Sequence, residues 1–349
     1  RLECDYCGSS FTVAEVEAFS AEKEQQAAEA FEKAAAEARA DAGSWERPDG
    51  QDNWGEEADH LKTYRCPSCG AELICDEATA ATSCPYCGNN TIISGQFHGM
   101  QKPELVIPFK LGKEEAVKTL KAHYKGRPFL PKSFSDENHI QEIKGIYVPF
   151  WLFDGTAEGS IRGEAHQVRT WTEGDYKITE VEEYRILREG EAQFQRIPVD
   201  GSTKMPDAHM DSIEPFDYGE LTDFSTAYLP GFLAEKYDVD KTESQSRATE
   251  RMEESLSGLL DDTIEGYSNH RITGKHIHFE KVGVKDALLP VWMLHTKWQN
   301  QDYLFAMNGQ TGKLIGDLPV SKEKFAAWMA GISLPLMALL TLLMYLLGK

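Results

Sequence analysis

Positive charge is scarce in this sequence: 36 Lys and Arg stand against 57 Asp and Glu, a formal net charge of -21 over 349 residues. A chain so acidic is repelled by nucleic acid and by anionic membrane surfaces unless one local patch dominates. The common catalytic signatures are missing as well. There is no Gly-rich phosphate loop, no Gly-x-Ser-x-Gly and no His-Glu-x-x-His, so no enzyme is expected. The chain opens on Arg1 without a charged-then-apolar leader, and its natural start is expected upstream. Cysteine is rare too, with residues at 4, 7, 66, 69, 75, 84 and 87. Six of the seven fall into Cys-x-x-Cys pairs, a spacing that suits metal capture in a reducing compartment better than a disulfide framework. That points to the cytosol.

The strongest motif is Cys66-Pro67-Ser68-Cys69-Gly70 with Cys84-Pro85-Tyr86-Cys87-Gly88. Each turn aims two sulfurs at one centre, and four sulfurs in tetrahedral array select zinc. Residues 63–98 are therefore read as a zinc ribbon, with short strands at Tyr64–Arg65, Leu73–Ile74 and Ile92–Ile93. A four-cysteine site leaves no vacancy for water or substrate, so the ion is structural. Arg65 is the single Lys or Arg between 63 and 100, against Glu72, Asp76 and Glu77. That surface does not suit phosphate, and nucleic acid is an unlikely partner.

Cys4 and Cys7 with Gly8 repeat the knuckle and are read, over 1–12, as the second half of an N-terminal ribbon whose first pair lies upstream. Cys75 alone completes no site and reads as a small buried residue. Thr12-Val13-Ala14-Glu15 forms a capping box for an Ala/Glu-rich helix over 13–42. An acidic linker follows over 43–62, and 13–62 together hold 14 acids against 5 bases. That composition suits a solvated spacer.

Residues 101–320 alternate helical and strand patterns, the mark of an α+β domain. Helical spacing places Ala116, Val117, Leu120 and Tyr124 on one face of a helix from Lys113 to Tyr124. The chain then reaches the apolar strand Val148–Phe153. A second round has Asp240 capping a helix with Ala248, Met252, Leu256, Leu259 and Ile264 inward, and arrives at Leu289–Leu294. Both rounds end in aliphatic-Pro-x-Trp, so 101–200 and 224–320 are read as an internal duplication. Proline within each Trp strand predicts a strand start or a sheet edge. Hairpins are expected around Glu173–Asp175 and Asn308–Gly312. His276 and His278 alternate along one strand face and, lacking a neighbouring carboxylate in sequence, read as half-exposed strand residues.

One basic stretch breaks the acidic background. Lys118, Lys121 and Lys125 fall on one helical face, followed by Arg127. A solvated face explains them, and so does contact with anionic headgroups or an acidic partner. At the end of the chain, Phe325 to Leu347 is a run of 23 uncharged residues. As a helix it spans about 34 Å, enough for a bilayer core. Lys322 and Lys324 before the run, against Lys349 after it, favour a cytoplasmic N-terminal side.

Six motifs occur in order: Cys-Pro-x-Cys-Gly-Ala-Glu (66–72), Cys-Pro-Tyr-Cys-Gly-Asn (84–89), Val-Pro-Phe-Trp-Leu-Phe-Asp-Gly (148–155), Asp-Ser-Ile-Glu-Pro-Phe-Asp-Tyr (211–218), Leu-Pro-Val-Trp (289–292) and Phe-Ala-Met-Asn-Gly-Gln-Thr-Gly (305–312). With them the chain resembles bacterial TFIIB-type zinc-ribbon-containing membrane proteins over nearly its whole length. That family is similar to the zinc-ribbon partner encoded near phage-shock protein A and an SPFH-domain scaffold. The resemblance implies zinc ligands at Cys66, Cys69, Cys84 and Cys87, with Cys4 and Cys7 belonging to a second site. It implies a cell-membrane adaptor that faces the cytoplasm, recruits an SPFH-type or phage-shock scaffold in envelope stress, and is an oligomer within a larger assembly. The competing expectation is a nucleic-acid-binding ribbon protein tethered to the membrane.

Overall fold

The computed structural model describes residues 2–3, 10–12, 54–79, 83–90, 92–96, 102–135, 140, 142–299 and 301–347. The Cys4–Cys7 knuckle, the helix expected over 13–42 and most of the linker expected over 43–62 lie outside the described residues. Leu2–Glu3 (β1) pairs antiparallel with Ser10–Phe11 (β2), Leu2 opposite Phe11. The remaining strands are β3 (Leu61–Arg65), β4 (Glu72–Asp76), β5 (Ile93–Gln96), β6 (Leu105–Val106), β7 (Lys144–Glu173), β8 (Tyr176–Asp200), β9 (Thr222–Asp223), β10 (Leu233–Glu235), β11 (Asn269–Trp298), β12 (Gln301–Asn308) and β13 (Leu314–Gly316). The α-helices are α1 (Lys113–Tyr124), α2 (Asp207–Ile213), α3 (Lys241–Asp261) and α4 (Lys322–Leu347). Helices and strands mix around one large sheet, as an α+β chain should.

The chain divides into two compact units. The larger holds Asp49–Trp151, Asp200–Ser244 and Lys285–Lys349. Its strands run in the order β13-β12-β11-β7-β10-β4-β3-β5, with β6 beside β11 and β9. The ribbon strands β3, β4 and β5 thus continue the main sheet, because β4 pairs antiparallel with β10. Trp54 is buried edge-on to Phe224 at 5.7 Å, and Gly55–His60 makes a 3-10 turn into β3. The stretch that composition assigns to linker is therefore folded from Trp54 onward. Helix α1 buries the four expected positions Ala116, Val117, Leu120 and Tyr124 against Trp292, Leu294 and Phe305. Glu114 and Glu115 in its first turn suit the helix dipole, and Glu115 accepts from the Gly112 N–H.

Two sets of contacts in this unit have the same form. Trp151 Nε1 donates to the Val239 carbonyl just before α3, and Trp292 Nε1 donates to the Leu111 carbonyl just before α1, both at 3.0 Å. Gly201 N–H reaches Pro149 O, and Gly309 N–H reaches Pro290 O, both at 2.8 Å. Strand β10 runs parallel to β7 at Ile146–Tyr147, and β6 runs parallel to β11 at Ala287–Leu288. Tyr237 lies against Trp151, centroids 4.8 Å apart, as Phe109 lies against Trp292 at 5.2 Å.

Proline in these strands corrects one expectation. Pro149 and Pro290 sit inside β7 and β11, which are interior strands of the sheet rather than edges or starts. Pro290 falls after Leu288, where β6 stops pairing, and before Val291, where β12 begins. A proline in that gap forfeits no bond to β6 or to β12.

The smaller unit contains Leu152–Val199 and Gln245–Val284 together with Arg1–Pro48. Here β7 and β8 form the expected hairpin, turning at Gly174 with φ +63°. Helix α3 buries Ala248, Met252, Leu256 and Leu260, whereas Leu259, expected on the inner face, is 56% exposed. The buried stripe follows the four-residue ridge, which selects 260 over 259.

Candidate metal centre

Two backbone turns of one design hold the four cysteines. In the first, Cys66 N–H donates to Ala71 O at 2.9 Å and Gly70 N–H donates to Cys66 O at 2.9 Å. In the second, Cys84 N–H donates to Asn89 O at 2.8 Å and Gly88 N–H donates to Cys84 O at 3.0 Å. Gly70 and Gly88 have φ of +73° and +68°, a region that side-chain-bearing residues avoid. Gly88 is constrained a second way, since a Cβ there would lie 2.6 Å from Nδ1 of His295.

The sulfurs converge. Cys66 Sγ lies 3.6 Å from Cys87 Sγ, and Cys69 Sγ lies 3.6 Å from Cys84 Sγ. All four are within 4.8 Å of one another. Thiolates around an ion at the usual zinc–sulfur distance stand about 3.8 Å apart. The donor set of four sulfurs therefore fits one tetrahedral metal ion. Burial pushes the Cys84 and Cys69 thiols up. At Cys66 burial acts the same way, but the amides of Cys69 and Ser68 and the neighbouring thiols outweigh it and bring the group down to about 7. A divalent ion bound between these sulfurs would favour their thiolate forms.

The second turn is latched to the sheet by side chains. Tyr86 Oη donates to Glu235 Oε2 in the interior, and Ser202 Oγ donates to Glu235 Oε1 at 2.8 Å. Burial holds Glu235 up at about 8, although both hydroxyls oppose it. Lys144 Nζ donates to the Ser83 carbonyl at 2.5 Å. A cleft of about 730 Å³ adjoins this turn, lined by Cys84, Cys87, Lys113, Lys144, His295 and Lys297 among others.

No family model and no solved structure matches the chain. It is 39% identical over 320 residues to YdjG, an uncharacterized protein of Bacillus subtilis (strain 168), with the match covering 78% of this chain and 94% of that protein. The chain belongs to the YdjG family. In this YdjG-family chain Lys118, Lys121, Lys125 and Arg127 are all exposed, on the outer side of α1 and the turn after it. Cys75 is fully buried, its Sγ 3.2 Å from Thr79 O, as a packing residue. Asp240 caps α3 as expected, accepting from Glu243 N–H at 2.8 Å.

The sequence did not single out Glu235, Ser202 or Tyr86. Nor did it assign Asn308 more than a turn. Asn308 is fully buried, donates to Ile213 O and Pro215 O, and accepts from the N–H groups of Gln310 and Thr311. In the smaller unit a cleft of about 580 Å³ places His276 and His278 with Glu158, Glu189 and Glu191. The carboxylates that sequence spacing did not supply are thus brought near by folding. Among the described residues, however, only the four cysteines bring three or more metal-ligating atoms within 4.8 Å of one another.

Proposed function

We propose that the chain is a non-enzymatic, membrane-anchored adaptor whose ribbon holds one structural zinc ion. What supports this is the union, in one unit, of a closed four-cysteine site built into the sheet and a terminal helix, α4, of 26 residues with none buried. Four thiolates select zinc over harder ions. A helix that long and apolar can cross a bilayer, and Pro335 inside it is tolerated there. Thiol chemistry and Lys322 and Lys324 before the span favour a cytoplasmic soluble part. The paired contacts of Trp151 with Trp292 and Gly201 with Gly309 support the reading of 101–200 and 224–320 as a duplication. The resemblance supplies the partner class, a cytoplasmic SPFH-type or phage-shock scaffold, with Cys4 and Cys7 completing a second ribbon through upstream residues.

The test is a detergent pull-down of the full-length protein from native membranes, with zinc measured in the same sample. One zinc per complete ribbon and recovery of such a scaffold are expected. Recovery of nothing but the protein itself would remove the adaptor reading. A tethered nucleic-acid binder is the second reading, favoured by the exposed Lys118, Lys121, Lys125 and Arg127. It requires steeply salt-dependent binding to DNA or RNA, and absence of binding at low salt ends it.

A further inference from the structure

The loop after α1 is fastened to the root of α4. Ser321 N–H donates to Phe129 O at 2.8 Å, and Lys324 Nζ donates to Leu130 O at 2.6 Å. The Phe129 ring packs edge-on against Phe325 at 5.5 Å and against Trp328 at 5.4 Å. Trp328 is an aromatic at the start of an apolar helix, the position where tryptophan marks the boundary between headgroups and acyl chains. Phe129 therefore sits at that same level, and the residues on either side of it sit where headgroups lie.

Those residues are cationic. Between 116 and 132 the chain has Lys118, Lys121, Lys125, Arg127 and Lys132 and no Asp or Glu, within a molecule of net charge -21. All five are exposed, as is Lys322 in the first turn of α4, where Glu323 is the nearest acid in sequence. The inner face of α1 is occupied by Ala116, Val117, Leu120 and Tyr124, so its lysines face outward. Acid-free cationic segments next to a span bind anionic lipid, each cation adding modestly to the attraction.

We propose that α1 and the loop through Lys132 form a docking platform for anionic phospholipid headgroups at the root of α4. The platform would set the height and tilt of the soluble unit on the bilayer and offset the repulsion its acidic surface meets there. The proposal rests on the reading of α4 as a membrane span.

The experiment places the full chain in nanodiscs of phosphatidylcholine alone or of equimolar phosphatidylcholine and phosphatidylglycerol. Lysines are acylated with a water-soluble reagent, and rates are read peptide by peptide against Lys177 as reference. In the anionic discs Lys118, Lys121 and Lys125 should react about fivefold more slowly, the factor expected of one lysine–headgroup contact. High salt should abolish the difference. The double variant Lys125→Gln, Arg127→Gln should weaken the protection of Lys118 and Lys121. Equal rates in both discs overturn the platform. Protection that appears only in native membranes also overturns it and assigns the cations to an acidic protein. A chain stripped from the bilayer by alkaline carbonate overturns the span and the platform together. A chain that resists carbonate but labels equally in both discs overturns the platform alone.

Discussion

The two cysteine turns share one backbone design but are held by different means. The first, 66–70, is clamped between β3 and β4, five paired residues on each strand, and β4 is itself backed by β10. The second, 83–88, is fixed by side chains from distant segments: Tyr86 on Glu235, Lys144 on Ser83, and His295 against Gly88. A metal ion joining the two thus bridges a turn stabilised by local pairing and a turn stabilised by tertiary contact. The second should depend far more on the ion and on single residues.

Removing the ion should separate them most. Chelation is expected to speed amide exchange over 84–90 by about a hundredfold or more, while 61–65 and 72–76 keep most of their protection. Equal loss in both turns would break the comparison. Next in size is Glu235→Ala, which removes the acceptor of the Tyr86 hydroxyl in the second turn and of Ser202, and should cost about 2–4 kcal/mol in chemical denaturation at fixed zinc. The pH dependence has a definite sign. Because burial raises the Glu235 pKa on folding, its favourable contribution is complete below the ordinary glutamate value and is lost as pH rises toward about 8. Glu235→Gln should therefore gain on the wild type as pH rises from about 4.5 to about 8.

Smaller effects come from the glycines. Gly88→Ala combines left-handed strain with the approach of His295 and should cost about 2–3 kcal/mol by thermal or denaturant melting. Gly70→Ala meets no atom within 4 Å and should show only the backbone strain, about 1 kcal/mol. Equal costs would show that His295 yields freely and that the second turn is less tightly held than its contacts indicate.

What was legible in the sequence is what is local in the chain. Cys-x-x-Cys-Gly spacing located both turns, helical spacing found all four buried positions of α1, and the Asp240 cap and the Gly174 hairpin followed from turn chemistry. Glu235 was not legible because its partners Tyr86 and Ser202 are distant in sequence, and an acid after Leu233–Ala234 looks like an exposed strand residue. Asn308 was read as a turn former, although its side chain also ties that turn to Ile213 and Pro215. Proline in the Trp strands misled because the rule concerns lost ladder bonds, and the short strands β6 and β10 stop pairing before they reach Pro290 and Pro149. Leu259 failed by one position, since amphipathic spacing alone does not say which ridge of a helix faces inward.

The wide sequence separations in the sheet also set an order of assembly during synthesis. Tyr86 and its partner Glu235 are 149 residues apart, and Glu104 waits 182 residues for Asp286. At ordinary elongation rates the first of these intervals lasts roughly 7–30 s. During it the first cysteine turn already has its β3–β4 hairpin, whereas the second still lacks Glu235 and His295. The local half of the site can thus pair well before its tertiary half can be latched, and the nascent chain carries four converging thiols in the meantime.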